Sequence, residues 1–409
     1  MILLAPVAKK KIQLERSIFL SLLMSEEISK KSLAGEISFS TPLLPVHLPF
    51  KMLHKPFFGD NDHLIADIEE WKQNNFPMQY GGENLNGKNL IVFPMHGLGD
   101  QLYLAIAMRH LINKYQELKI TVVKSGLNSS EAWYDYIYSE ENYTIKGPVI
   151  AASEICEYDY FVNAEHFSHL EDYKGSYPAK FYSDKMFIHN SSDIENLRPL
   201  IKQPVKNQRI EEFFNKIRKN NLPLLFINPM TTGRVRDIPN NTVIDFVRMI
   251  KDRCTVIVSV FKNPILDLEI NKLSIPNIIS SDGIIQCSED LLNVISLIDI
   301  VLTSDSGVTH LAEAFNKPCG SIFNVVSSKE RIEFYKFSEE MDIQFEIEGV
   351  CKTPCYVHAL PDDMECPGMR HFNNVHGTRL FHEYPPCMQN LSAEHLYALF
   401  DLIYKKAVV

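Results

Sequence analysis

The sequence predicts an α/β protein with two doubly wound parallel sheets, and three observations predict it. The chain has 409 residues, which is more than one ordinary domain holds. Hydrophobic residues make up 45% of the sequence, enough for more than one core. Short apolar runs typical of buried strands alternate with helical patterns in two separate series. We therefore expect two α/β domains that face each other across a cleft.

The first series follows residues 1–85, whose mixed pattern indicates only a small N-terminal accessory domain. After it, NLIVFP is typical of a buried strand, residues 99–115 of a helix and KITVVK of the next strand. This βαβ unit predicts a Rossmann-like domain over residues 86–205.

The second series begins after a polar segment, residues 201–221, which reads as a linker. Its strands are LPLLFI, TVIVSV, DIVLTS and GSIFN, and helices are predicted over residues 241–251 and in VTHLAEAF. Alternation of this kind predicts a second Rossmann-like domain over residues 206–345.

The charge and hydropathy of the sequence limit which partners and which cellular location are expected. The net charge of −10 argues against a nucleic-acid partner. The apolar stretch 18–24 is too short to span a bilayer, and it lacks the cleavage pattern of a signal peptide. A cytoplasmic protein without a transmembrane segment is expected, with its oligomeric state left open, a homo-oligomer included.

Three loops of this predicted fold are rich in residues that carry chemistry. Open α/β sheets bind ligands outside the carboxyl ends of their strands, where loops lead into helix N-termini. The loops at those places are residues 94–100, 228–239 and 303–308. The candidate site is therefore expected in these three loops.

The first loop, MHGLGD, places a carboxylate where a helix begins. Gly97 and Gly99 permit a tight turn and a close approach of the backbone. Asp100 at a helix N-terminus is a candidate general base, kept ionised by the helix dipole. The alternative is an ordinary first-turn aspartate.

The second loop, NPMTTGRVRDIP, combines hydroxyl and guanidinium groups within seven residues. Hydroxyls and arginines at a strand-to-helix turn suit a phosphate, which arginine binds in a bidentate manner. The candidates are Thr231, Thr232, Arg234 and Arg236. A polar surface loop is the alternative.

The third loop, TSDSGVTHL, reads as the N-terminus of a helix. The candidates for donor binding here are Ser304, Asp305, Ser306, Gly307 and His310. Helix capping by itself explains Asp305 and Ser306. It explains Gly307 and His310 less well, and these two favour a ligand that approaches the helix end.

Four cysteines form a cluster near the C-terminus, within residues 346–390. Cys351, Cys355, Cys366 and Cys387 lie in a segment rich in proline and glycine, which is what a closed tetrathiolate metal site needs. Two disulfides are the alternative, which a cytoplasmic location disfavours. After this segment, residues 391–409 form an amphipathic helix, with Leu396, Leu399, Phe400 and Ile403 on the face expected to pack onto the body.

The three loops together resemble glycosyltransferase family nine, the ADP-heptose heptosyltransferases of the GT-B fold. The resemblance rests on GLGDQLYLAIAMRHL, on PMTTGRVRDIP and on DIVLTSDSGVTHLAEAFNKPCGSIF. Their order and spacing fit that family from about residue 89 to about residue 325.

The resemblance implies a role for each matching residue. Asp100 matches the aspartate taken as the base that deprotonates the acceptor hydroxyl. The diphosphate contacts of the family match Thr231, Thr232 and Arg236. Its sugar-nucleotide loop matches Asp305, Ser306, Gly307 and His310. This chain departs from the family pattern by an arginine for lysine at position 236, a serine for threonine at 306 and an isoleucine for tryptophan at 238.

The cysteine cluster is similar to one in a narrower group, the bacterial autotransporter heptosyltransferases. These enzymes carry a small N-terminal domain and a four-cysteine iron finger before a last helix, although their cysteine spacings differ from those of this chain. The resemblance implies a structural iron or zinc ion.

An inverting glycosyltransferase is therefore the expected function. It would move a heptose-like sugar from a nucleoside diphosphate donor to a hydroxyl of a protein or saccharide, without a catalytic divalent metal. The alternatives are a non-catalytic module that binds nucleotide sugars or glycans on the same frame, and a hexosyl- or fucosyltransferase of the same fold.

Overall fold

The chain folds into two compact units, which are described separately. The computed structural model describes residues 2–4, 18–20, 44–45, 77–94, 97–124, 133–147, 149–150, 157–164, 175–188, 197–218, 221–231, 233–261, 263–357, 366–369, 371 and 384–408. The first unit comprises Met1–Asp172 with Tyr182–Ser191, and the second comprises Tyr173–Phe181 with Ser192–Val409. The accessory domain predicted over residues 1–85 lies mostly outside the described residues.

The first unit is built on a five-stranded parallel sheet. Its strands are β1 (Met78–Gln79), β2 (Asn89–Phe93), β3 (Lys119–Val123), β4 (Tyr143–Lys146) and β5 (Tyr160–Asn163). Their order in the sheet is β1-β5-β2-β3-β4, and all pairs are parallel. The strands predicted in NLIVFP and KITVVK are β2 and β3, which are buried because their residues are apolar on both faces.

Helix α1 (Leu98–Lys114) follows β2, close to the predicted range 99–115, and α2 (Trp133–Ile137) follows β3. Helix α3 (Pro178–Lys185) follows β5 along the chain, and its residues are shared between the two units. Two short antiparallel strand pairs complete the described backbone outside the second unit: Ile2–Leu4 with Ile18–Leu20, and Leu44–Pro45 with Val149–Ile150.

The second unit is built on a six-stranded parallel sheet. Its strands are β6 (Leu224–Asn228), β7 (Thr255–Val258), β8 (Ile278–Ser280), β9 (Ile300–Ser304), β10 (Cys319–Phe323) and β11 (Ser338–Asp342). The order in the sheet is β8-β7-β6-β9-β10-β11, with every pair parallel. In chain order this is 3-2-1-4-5-6, the order of dinucleotide-binding Rossmann sheets.

Helices precede, connect and follow these strands, although the sequence predicts only those over residues 241–251, in VTHLAEAF and at the C-terminus. They are α4 (Gln208–Ile217), α5 (Asn240–Ile250), α6 (Pro264–Lys272), α7 (Ser288–Leu297), α8 (Gly307–Ala314), α9 (Ser328–Ile332), α10 (Pro386–Gln389) and α11 (Ala393–Val408). A single 3₁₀ turn spans Arg234–Arg236, and a short hairpin pairs Glu346–Ile347 with Cys351–Lys352. None of the helices in the described part of the chain is long and apolar enough to cross a bilayer.

The last helix packs onto the second unit through the four residues that its pattern predicts. Leu396, Leu399, Phe400 and Ile403 are buried in the same core cluster as residues of β7 and β9. The helix therefore covers one face of the parallel sheet, as such sheets require because both of their faces are apolar.

Candidate functional site

The sheet of the second unit has a crevice where its strand order reverses. From β6 the chain proceeds to β7 and β8 on one side, and it then returns to β9, β10 and β11 on the other. The loops after β6 and β9 consequently leave the sheet in opposite directions, which opens a binding crevice at their carboxyl ends. Two of the three predicted loops, residues 228–239 and 303–308, are these two loops.

A buried amide holds the two loops together at the base of the crevice. Asn228 is the last residue of β6 and pairs with Thr303 of β9. Its Nδ2 lies 3.2 Å from Thr303 Oγ1, 3.2 Å from Ser306 Oγ and 3.0 Å from the Met230 carbonyl oxygen. Because this side chain donates to both loops, their relative position is defined within the unit.

Helix α8 begins at the crevice with the capping residue that the sequence predicts. Ser306 accepts a hydrogen bond from Val308 N at 3.3 Å, and Gly307 is the first helical residue. Amide groups in the first turn lack carbonyl partners within the helix, so this end carries partial positive charge. Ser304 Oγ is buried nearby, and no group of the described residues hydrogen-bonds to it.

Arg236 brings a largely buried guanidinium to the same place. Its Nη1 donates to the Asp305 carbonyl oxygen at 2.8 Å and lies 3.2 Å from Asp305 Oδ2. The side chain of Arg236 is only 13% exposed. Its Nε is buried and has no hydrogen-bond partner in the described structure. An anionic oxygen is the partner that such a charged donor favours.

The loop that carries Arg236 is shaped by a carboxyl group that the sequence analysis missed. Asp237 Oδ1 accepts hydrogen bonds from Thr231 N at 2.7 Å and from Thr231 Oγ1 at 3.1 Å. Thr231 Oγ1 also contacts the Gly233 carbonyl oxygen and amide. The hydroxyl of Thr231 is thus used within the loop, Thr232 lies outside the described residues, and Arg234 is exposed.

Burial has opposite effects on the pKa values of two groups in this crevice. It raises the pKa of Asp237 to about 6, against the hydrogen bonds from Thr231 and the charges of Arg236 and Arg234. It also lowers the pKa of His310 to about 3; Asp305 opposes this change, whereas Arg331 and Arg236 add to it. The imidazole of His310 is therefore neutral near pH 7.

Two residues after β10 also belong to this crevice, although the sequence analysis named neither. The Tyr335 hydroxyl lies 2.6 Å from His310 Nδ1, and the two rings are perpendicular. Arg331 in α9 is only 6% exposed. The strand-end rule could have found both, because β10 is the next strand of the sheet. The segment SSKERIEFY, however, has the charge pattern of an ordinary solvent-facing helix.

In the first unit, Asp100 lies at the corresponding position of its own sheet. It is in the first turn of α1, at the carboxyl end of β2, where the chain order reverses between β2 and β5. The hydroxyl of the buried Tyr182 lies 3.4 Å from Asp100 Oδ1.

Gly97 leaves room for the carboxylate of Asp100. A Cβ atom built at residue 97 would lie 2.4 Å from Asp100 Oδ2, closer than real Cβ contacts occur. The carboxylate consequently rests on the bare backbone of the glycine. Gly99 lies within the first turn of the same helix.

The four clustered cysteines line one small cavity. Cys351, Cys355, Cys366 and Cys387 form part of its wall, and its volume is about 30 Å³. Met369 N donates to Cys366 Sγ at 3.3 Å, and Asn324 Nδ2 donates to Cys387 Sγ at 3.4 Å. No three metal-ligating side chains of the described residues lie close enough to share an ion. Sulfur donors are the ligand type that iron and zinc prefer in tetrathiolate sites, so the donor chemistry of the four cysteines, but not their spacing in this structure, matches such a site.

Comparisons by sequence identify no relative. No protein-family model matches the chain, and no curated protein matches it significantly.

Comparisons by structure find glycosyltransferases. The chain is similar to the ADP-heptose lipopolysaccharide heptosyltransferase II of E. coli, with a TM-score of 0.51 and 12% identity, over 79% of this chain and 100% of that one. It is also similar to the iron-containing dodecameric glycosyltransferase TibC of enterotoxigenic E. coli, with a TM-score of 0.50 and 13% identity, over 79% of this chain and 78% of that one. At such low identity the comparisons show the fold, which is a mixed α/β fold of the GT-B class with two Rossmann-like units.

Proposed function

We propose that this protein is a glycosyltransferase whose second unit binds a nucleoside diphosphate sugar. One observation carries the proposal. The buried guanidinium of Arg236, with an unpartnered Nε, and the N-terminus of α8 lie at the switch point of a 3-2-1-4-5-6 sheet. This is the place where such sheets bind nucleotides, and both groups attract phosphate.

The donor site would stabilise the departing diphosphate. When the bond between the anomeric carbon and the phosphate oxygen breaks, its electron pair leaves with the diphosphate. Arg236 and the amide groups at Gly307 would neutralise this charge where it develops. Because the protein supplies positive charge here, we expect transfer to proceed without a catalytic divalent metal.

Asp100 is the proposed base. It would take the proton of the acceptor hydroxyl as that oxygen attacks the anomeric carbon, and the configuration at this carbon would invert. The helix N-terminus around Asp100 favours the ionised carboxylate that a base requires.

The donor and acceptor are proposed from fold neighbours and chemistry. The heptosyltransferase II neighbour is described as an ADP-heptose enzyme, and its fold covers 79% of this chain. We therefore propose an ADP-heptose-like donor and a hydroxyl of a protein or saccharide as acceptor. The TibC neighbour is described as iron-containing, which supports a structural iron, or zinc, at the four cysteines.

Donor turnover by Asp100→Asn tests the proposed function. The variant should release nucleoside diphosphate from ADP-heptose about 10²- to 10⁴-fold more slowly than the wild type, because it cannot accept the proton. Asp135→Asn, which removes a largely exposed carboxylate from α2 of the same unit, is the control and should keep full activity.

The same assay with a panel of ADP-, GDP- and UDP-sugars identifies the donor. Wild-type protein that binds one of these sugars but never turns it over would refute the enzyme and favour a binding module. Full activity of Asp100→Asn would refute the assigned base, and exclusive use of a GDP- or UDP-hexose would refute the heptose-like donor.

A further inference from the structure

We propose that Arg331 is a second binding residue for the diphosphate of the donor, acting together with Arg236. The proposal deepens the function proposed above and rests on it. Arg331 is neither part of the three loops that the sequence marks nor matched by the resemblance to family nine.

Arg331 lies beyond another strand end at the same edge of the sheet, that of β10. Its helix α9 follows β10, which is paired with β9 in parallel register. The loop after β10 is joined to the loop after β6 by a hydrogen bond. Asn324 Nδ2 donates to the Val235 carbonyl oxygen at 2.7 Å, in the turn that carries Arg236. The loop after β9 is joined to β10 itself, because Asp305 N donates to the carbonyl oxygen of Ile322 in that strand at 2.9 Å.

The chain after Arg331 returns to helix α8. Tyr335, one turn further on, meets His310 Nδ1 at 2.6 Å through its hydroxyl. His310 lies in the first turn of α8, whose N-terminus is proposed to face the phosphate. The segment from Arg331 to Tyr335 is therefore packed against the same helix end that Arg236 and Asp305 adjoin.

Two guanidinium groups act on His310. Those of Arg331 and Arg236 both oppose protonation of this ring, whereas the carboxylate of Asp305 favours it. Arg331 and Arg236 are both largely buried. A charged hydrogen bond from either guanidinium to a phosphate oxygen is stronger in such surroundings than in water.

Two arginines have a chemical advantage over one for this ligand. A guanidinium has five N–H donors in a rigid plane, so each arginine can bind two oxygens of one phosphate group. Arg236 already uses Nη1 on Asp305, which leaves it fewer donors for the ligand. A second arginine from the next strand would allow both phosphates to be bound.

Binding of inorganic pyrophosphate tests this proposal without knowledge of the donor base or sugar. Calorimetry on the full-length protein should give an affinity of Arg331→Gln about 10- to 100-fold below that of the wild type, since a charged hydrogen bond is lost. Arg331→Lys, which keeps the charge but loses the bidentate geometry, should fall between the two. It also serves as the test variant if Arg331→Gln does not fold.

Two further variants separate this role from a structural one and from failure of the proposed function. Arg253→Gln removes a guanidinium that packs on α11 of the same unit, and it should bind pyrophosphate like the wild type.

Wild-type affinity in folded Arg331→Gln or Arg331→Lys, or an equal loss of affinity in Arg253→Gln, overturns the role of Arg331. If Arg236→Gln loses binding while Arg331→Gln keeps it, the donor site stands and only this inference fails. If the wild type does not bind pyrophosphate, both fail.

Discussion

Asp237 is a buried carboxyl group that organises the loop carrying Arg236. It is 2% exposed, and it accepts both the amide and the hydroxyl of Thr231. No pattern in the sequence marks this role, because an aspartate before Ile-Pro looks like an ordinary turn residue. Its burial, which raises its pKa to about 6, is a property of the folded unit alone.

The pH dependence of stability should report the burial of Asp237. In the folded protein the carboxyl keeps its proton up to about pH 6, whereas in the unfolded chain it loses it near its ordinary pKa of 3.8. Asp237 therefore contributes about 3 kcal/mol to the free energy of unfolding below pH 3.8, and this contribution is lost as the pH rises through about 6.

Asp237→Asn cannot ionise but keeps an oxygen for Thr231 N. Its free energy of unfolding relative to the wild type should therefore increase by about 3 kcal/mol from pH 4 to pH 8, measured by chemical unfolding. Asp245→Asn, on α5 of the same unit, controls for the loss of one carboxyl group. A difference between Asp237→Asn and the wild type that stays constant over this range would contradict the prediction.

The position of helix α11 depends on a close contact with strand β10 as well as on the apolar face of the helix. Its sequence predicts which face is buried, and Leu396, Leu399, Phe400 and Ile403 confirm it. The depth of its packing depends on Gly320 in β10. A Cβ atom at residue 320 would lie 2.9 Å from Leu399 Cγ and 3.0 Å from Leu302 Cδ1. The helix thus lies directly on the bare backbone of the strand.

Gly320→Ala should destabilise the second unit by about 1–3 kcal/mol, because the added methyl overpacks this contact. Leu399→Ala makes room for the methyl at residue 320. The double variant should therefore be destabilised by at least about 0.5 kcal/mol less than the sum of the two single changes. Chemical unfolding of the four proteins measures this. A Gly320→Ala variant as stable as the wild type, or changes in the free energy of unfolding that add fully in the double variant, would show that α11 does not pack directly on the backbone of Gly320.

At the scale of the whole chain, the cysteine segment connects α10 and α11 to the rest of the second unit. Cys387 lies in α10, directly before α11, and Asn324 from the loop after β10 contacts its sulfur. A tetrathiolate ion at the cavity would therefore stabilise the C-terminal part of the unit, since metal binding is coupled to folding.

The purified protein should contain about one iron or zinc per chain by elemental analysis. Cys366→Ser should lower both the metal content and the midpoint of thermal unfolding, because it removes one of four ligands. Cys287→Ser, which removes a thiol of the same unit outside the cluster, should change neither. Metal-free wild-type protein in which the four clustered thiols titrate freely would refute the metal site.

Local patterns predicted β2 and β3 of the first sheet and the four inner strands of the second, because buried parallel strands are continuous apolar runs. They missed β5, an inner strand of the first sheet. They did not predict β8, which has only three residues, or β11, whose sequence SEEMD is largely acidic. Edge strands such as these are exposed on one side, so their sequences need not be apolar. Pairing with a neighbouring strand identifies them, and this is a tertiary property.

The sequence by itself determined the fold class and the three strand-end loops, because periodicity and turn chemistry are local, and it marked Asp100, Arg236, Asp305, Gly307 and His310 as candidates for the site. The tertiary structure alone decided which loops share one crevice, since the strand order, and with it the position of the switch point, depends on pairing between distant segments. It also decided the burial of Asp237 and Arg331. The physical reason is that solvent exclusion and the balance of charge arise only when segments far apart in the chain are packed together.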